Sequence, residues 1–132
     1  MKAYIFACVH NAGRSQMASA FFNAIADPAC ARAISAGTAP ADRVHPEVLE
    51  AMAACDLELS SARPQLLTAD LARDAEALIT MGCGELCPNI PGLRAEDWAL
   101  PDPKGRSQET VAAIRDDIRQ RVAAFVDREG VG

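Results

Sequence analysis

The chain has 132 residues, half of them hydrophobic, which fits one domain spanning 1–132 with a substantial core. A formal net charge of −5 speaks against a nucleic-acid-binding surface, and no apolar run reaches membrane-spanning length. Met1-Lys2 passes straight into an apolar run with no secretory leader pattern, so a cytoplasmic location is expected, with the five cysteines present as thiols unless catalytic.

Residues 3–7, Ala-Tyr-Ile-Phe-Ala, are apolar throughout and predict a strand buried on both faces. The stretch Cys8-Val9-His10-Asn11-Ala12-Gly13-Arg14-Ser15 follows as a loop, and a helix begins near Ser15. Met17, Ala20, Phe21, Ala24 and Ile25 recur at three and four and predict its buried face, with Asp27-Pro28 as its stop. Residues 31–36 predict a weaker strand closed by Gly37, and Pro46 is suited to the first position of a helix lined by Val48, Met52 and Cys55. Thr68 is the expected N-cap of a short helix running through Arg73, and residues 77–81 predict a third strand. Residues 82–92 are rich in glycine and proline and read as a loop. Trp98 is placed in a short fourth strand before the turn Pro101-Asp102-Pro103-Lys104-Gly105. Ser107 caps a last helix whose stripe is Val111, Ile114, Ile118, Val122 and Phe125. Alternating strands and helices imply an α/β fold: an open four-stranded parallel sheet with helices on both faces.

The chemistry concentrates in the first loop. A strand, a short loop and a helix N-terminus make an anion site from main-chain N–H groups, here those of Val9, His10, Asn11, Ala12, Gly13, Arg14 and Ser15. Thiolate is the attacking form of cysteine, and an ordinary thiol is only about 3% ionised at pH 7. Loop N–H groups, the helix terminus and the Ser15 hydroxyl would all stabilise a charged Cys8. Arg14 offers a planar fork for two oxygens of a tetrahedral anion. Gly13 permits close approach, and Asn11 tolerates the left-handed backbone that such a loop requires. His10 is expected at the rim, without a catalytic role. Cys-x5-Arg spacing alone better fits a buried cysteine beside an ordinary surface arginine. Its place between strand and helix favours a nucleophile and its clamp.

Four segments together, Cys-Val-His-Asn-Ala-Gly-Arg-Ser-Gln-Met at 8–17, Ser-Ala-Gly-Thr at 35–38, Asp-Pro-Lys-Gly at 102–105 and the final helix, carry a resemblance across nearly the whole chain. The sequence resembles the low-molecular-weight protein tyrosine phosphatase superfamily, particularly its thioredoxin-coupled arsenate reductase branch. By that resemblance Asp102 is the acid that protonates the departing oxygen. Phosphotyrosine phosphatases of the family wall their slot with aromatic residues after Asp-Pro and after Ser-Ala-Gly-Thr. Here those places hold Lys104-Gly105 and Ala-Pro-Ala-Asp-Arg-Val-His at 39–45, with no Phe, Tyr or Trp ring to stack on an aryl ester.

Cys83-Gly84-Glu85-Leu86-Cys87-Pro88 supplies two more thiols at the third strand's end, the sheet edge expected to hold Cys8. Thioredoxin-coupled members of the branch carry two redox cysteines here, the second before a proline, usually with a longer segment between them. The resemblance therefore implies reduction of arsenate to arsenite with an intramolecular disulfide relay: Cys8 attacks, Cys83 attacks Cys8, and Cys87 attacks Cys83. It implies an external thiol reductant such as thioredoxin and no bound cofactor. No metal is expected, because no other close Cys/His cluster accompanies Cys83 and Cys87, and charge and hydropathy predict neither nucleic-acid nor membrane partners. The alternatives are hydrolysis of phosphomonoesters through a cysteinyl-phosphate, or oxyanion binding without turnover. Cys30 and Cys55 are expected to be packing residues. Potassium-binding relatives place an acidic residue where Ser19 stands, so no potassium dependence is expected.

Overall fold

The computed structural model describes residues 1–82 and 90–132. Its elements in chain order are β1 (Lys2–Cys8), α1 (Arg14–Ile25), β2 (Ala31–Gly37), α2 (Pro46–Ala53), α3 (Ala69–Ala72), β3 (Ala77–Thr80), β4 (Arg94–Asp97) and α4 (Gln108–Glu129). All pairings are parallel, in the order β2-β1-β3-β4. The chain leaves β1 toward β2 on one side and returns to β3 on the other. The C-terminal end of β1 is therefore the switch point at which open α/β sheets bind ligands, and Cys8 stands there.

Strand alternation divides the core. Tyr4, Phe6 and Cys8 face a cluster formed with Met17, Phe21 and Phe22 of α1, Val48 and Met52 of α2, and the stripe of α4. Ile5 and Ala7 face the other side, toward Ala36, Leu67, Ala72 and Leu78. Phe22 lies between Tyr4 and Phe125, with ring centroids 5.1 Å and 6.3 Å away, so aromatic rings cement sheet, α1 and α4. Thr68 Oγ1 accepts from Leu71 N at 3.0 Å and Ser107 Oγ from Thr110 N at 3.2 Å, the two expected caps.

Several sequence expectations are corrected. The buried face of α1 is Met17, Ala18, Phe21 and Phe22, whereas Ala24 and Ile25 are exposed. Packing against both the sheet and α4 buries this half of the helix and leaves its last turn outside. Trp98 follows β4 rather than lying in it, although its N–H still donates to Thr80 O at 2.8 Å. Helix α2 stops at Ala53, so Cys55 lies in the following turn, half-buried beside Asp56, whose φ is 61°. Cys30 is exposed in the turn before β2, where its thiol donates to Asp27 Oδ2 at 3.7 Å rather than packing in the core. Among the described residues, no helix is long and apolar enough to cross a membrane.

Candidate active site

Residues 8–13 turn their carbonyls outward. The oxygens of Cys8, Val9, His10 and Ala12 accept from the N–H groups of Thr38, Ala39, Ala41 and His45, and Gly13 O accepts from Met17 N. Asn11 O accepts from Gln16 Nε2 at 3.0 Å. With every carbonyl engaged on the outside, the N–H groups of His10, Asn11, Ala12 and Gly13 have no acceptor among the described residues. Helix α1 then starts at Arg14 without a side-chain cap, leaving its first N–H groups as further donors. Convergent N–H groups at an uncapped helix N-terminus form a cradle for an anion.

Two glycines fix this shape. A Cβ at Gly37 would lie 2.6 Å from Val9 O and 2.9 Å from Asn11 N, so the end of β2 can support the loop only without a side chain. This is the physical content of the Ser-Ala-Gly-Thr segment. A Cβ at Gly13 would lie 2.9 Å from Pro103 Cγ, so the distant Asp-Pro turn rests directly on the loop. Asn11 takes the left-handed backbone anticipated for it, at φ 51°.

Cys8 is 2% exposed, and its Sγ lies 2.9 Å from Ser15 Oγ. Arg14 is also buried; its Nη1 donates to Leu100 O at 3.0 Å and its Nη2 lies 3.9 Å from Asp102 Oδ2. A buried guanidinium with its nearest carboxylate at that distance is poorly neutralised, which suits the cradle to an anion. Asp102 Oδ1 accepts from Lys104 N at 3.0 Å, which orients the half-exposed carboxyl so that Oδ2 faces Arg14. His10 is at the rim, with Nδ1 3.1 Å from Ala39 O. The His45 ring lies close to Gly13, and burial lowers its pKa below the usual histidine value, against the opposing charges of Glu47 and Asp102.

The structure thus gathers Cys8, Arg14, Ser15 and Asp102 at one sheet edge; Cys83 and Cys87 lie outside the described residues. Sequence reasoning missed Leu100, whose carbonyl anchors Arg14, and the reason for Gly82. At Gly82 a Cβ would stand 2.2 Å from Arg14 Nη1. A glycine two residues after a central strand was the available signal, legible only once the arginine's path is known.

A thiol at the end of a central parallel strand, an N–H-lined loop opening a helix, and an Asp-Pro turn folded over it define a phosphatase-like oxyanion site. The chain belongs to the low molecular weight phosphotyrosine protein phosphatase family, which it matches over residues 3–130. Among individual relatives, it is 40% identical over 126 residues to a Halobacterium salinarum protein provisionally named an arsenate reductase, covering 92% of this chain and 89% of that one. It is 31% identical to arsenate reductase 2 of Staphylococcus saprophyticus, covering 96% of this chain and 97% of the relative. The solved structure of the thioredoxin-dependent arsenate reductase of Corynebacterium glutamicum superposes with a TM-score of 0.83 at 38% identity. That match covers 97% of this chain but 61% of the solved one, so the chain spans about three fifths of that protein.

Proposed function

We propose that the chain is a single-domain arsenate reductase, converting arsenate to arsenite by thiol attack and a disulfide relay that ends on an external dithiol. The observation that carries this reading is the cradle itself. Cys8, Ser15, Arg14 and Asp102 surround a site sized by main-chain donors, and neither walling segment, 39–45 nor 103–105, bears a Phe, Tyr or Trp ring. A bare tetrahedral oxyanion needs no stacking surface. The likeness to relatives named as arsenate reductases supports the same substrate, and the thioredoxin dependence of the Corynebacterium glutamicum protein supports a thioredoxin-like reductant.

In the proposed reaction, Cys8 thiolate attacks arsenic, an As–S bond forms, and an oxygen leaves as water with the proton from Asp102. Arg14 and the loop N–H groups hold the remaining oxygens as charge redistributes. Cys83 thiolate then attacks Cys8 Sγ; the S–As bond breaks and its electron pair goes to arsenic, which departs as arsenite. Cys87 thiolate attacks Cys83 Sγ, which frees Cys8 and leaves a Cys83–Cys87 disulfide for the external dithiol to reduce.

The test is NADPH consumption with arsenate in coupled thioredoxin, glutaredoxin and mycothiol systems. Cys8→Ser, Cys83→Ser and Cys87→Ser should each abolish turnover, and Asp102→Asn should lower kcat about 100-fold. A Cys83→Ser variant as fast as wild type rules out the relay. Rapid hydrolysis of phosphotyrosine that needs only Cys8 and Asp102, without arsenate reduction, would make the chain a phosphatase instead.

A further inference from the structure

Behind the oxyanion loop, on the side away from the anion, lies a chain of amides that the reaction itself does not use. Gln16, in the first turn of α1, is 4% exposed. Its Nε2 lies 3.0 Å from Asn11 O, 3.3 Å from Asn11 Oδ1 and 3.4 Å from Arg63 O. A glutamine so close to a helix start is more often solvated, and burying its amide costs stability unless partners are found. Here two of the three acceptors belong to one residue. Asn11 is fully buried, and its Oδ1 also accepts from Gln65 N at 3.0 Å.

A carboxamide has one accepting end and one donating end. Two donors on Oδ1 settle which end is which, so Asn11 Nδ2 points at Ser15 Oγ, 2.7 Å away. The Ser15 hydroxyl has a single hydrogen. Because its oxygen accepts from Asn11, that hydrogen is directed to Cys8 Sγ at 2.9 Å.

We propose that Gln16 is a positioning residue for the nucleophile: by gripping the backbone and side-chain oxygens of Asn11 together, it sets the donor direction that passes through Ser15 to Cys8. Gln16 touches neither the thiol nor the anion. It acts because Asn11 has left-handed backbone, where one residue must present its carbonyl outward and its amide inward at the same time. The Gln16 side chain donates to both the backbone O and the Oδ1 of Asn11 and so fixes the angle between its carbonyl and its side chain.

This inference rests on Cys8 as the attacking group, so its test reads Cys8 directly rather than arsenate turnover. In the full chain, alkylation of Cys8 by iodoacetamide is followed by peptide mass mapping across roughly pH 5 to 9, where thiolate content controls the rate. Gln16→Met keeps the length and removes the donor. Its Cys8 profile should move to higher pH, with the rate at the acid end falling about tenfold, the size of one lost hydrogen bond to a charged partner. Ser15→Ala should move the profile at least as far, and Ser15→Ala with Gln16→Met should match Ser15→Ala alone, because both act along one path. Should Gln16→Met fail to fold, Gln16→Glu preserves size, sets a carboxylate against the Asn11 oxygens, and should shift the profile in the same direction.

A Gln16→Met or Gln16→Glu profile that overlies wild type overturns the proposal. So does a double variant whose loss is the product of the two single losses. Wild-type protein that never reduces arsenate would instead sink the proposed function while leaving these contrasts readable.

Discussion

Gly82 contributes no chemistry, yet it decides where the site's cation sits. Arg14 crosses the end of β3 on its way to Leu100 O, passing through the space a Cβ at residue 82 would occupy. The φ of +90° at Gly82 adds backbone strain for any other residue. Gly82→Ala should therefore displace the guanidinium and raise KM for arsenate about tenfold or more, the scale of one charge-assisted hydrogen bond. Steady-state kinetics checks this; an unchanged KM would mean that Arg14 holds the anion from another position. The donors around Cys8 were legible in the sequence because strand, loop and helix are contiguous. The anchoring of Arg14 was not, because it joins residues 86 positions apart through a main-chain carbonyl that carries no sequence signature.

At the scale of the element, α1 both presents the anion cradle and packs the core. Its first turn donates to the site, and Phe22 is fully buried among Tyr4, Phe6 and Phe125. Phe22→Ala should cost about 3–5 kcal/mol in urea or thermal unfolding, while Ile25→Ala should cost well under half of that. Equal losses would restore the face predicted from periodicity. Spacing of three and four is shared by 17/20/21/24 and by 17/18/21/22, so the pattern alone could not choose between them. The choice is made by α4, whose Phe125 meets Phe22 and whose partner face lies far along the chain. Pro46 at the start of α2 and the caps at Thr68 and Ser107 were readable because they depend on neighbours within three residues.

For the whole molecule, the sheet edge opposite Cys8 is tied to the final helix by charge. Tyr4 Oη donates to Glu129 Oε1 at 3.0 Å, Arg94 pairs with the same carboxylate, and Arg128 pairs with Glu96 at 2.6 Å. Burial, then the hydrogen bond and charge of Glu129, push the Tyr4 pKa from 10.0 up to about 12. The folded state therefore holds this proton more tightly than the unfolded chain. The stabilisation is fully present below pH 10 and is lost as pH rises toward about 12. Thermal melts should show a fall across that window that Tyr4→Phe largely removes. The opposite sign holds at Glu129, whose pKa is lowered, chiefly by its hydrogen bond from Arg94. Its contribution is present above the ordinary carboxylate range and fades as pH falls through the lowered value. The open parallel sheet followed from the alternation of elements, but its strand order did not, nor did these long-range ion pairs, since exposed arginines and glutamates abound in the sequence.

These ion pairs lie at one end of the sheet and the proposed chemistry at the other, and the central claim concerns the second. It is tested most directly by a single turnover: reduced protein is mixed with excess arsenate in the absence of any external thiol, arsenite is quantified, and disulfides are mapped by mass spectrometry. The account predicts about one arsenite per chain and a Cys83–Cys87 disulfide with Cys8 returned to the thiol, as two-electron thiol–disulfide exchange requires. Release of no arsenite, with all five cysteines still reduced, would contradict it.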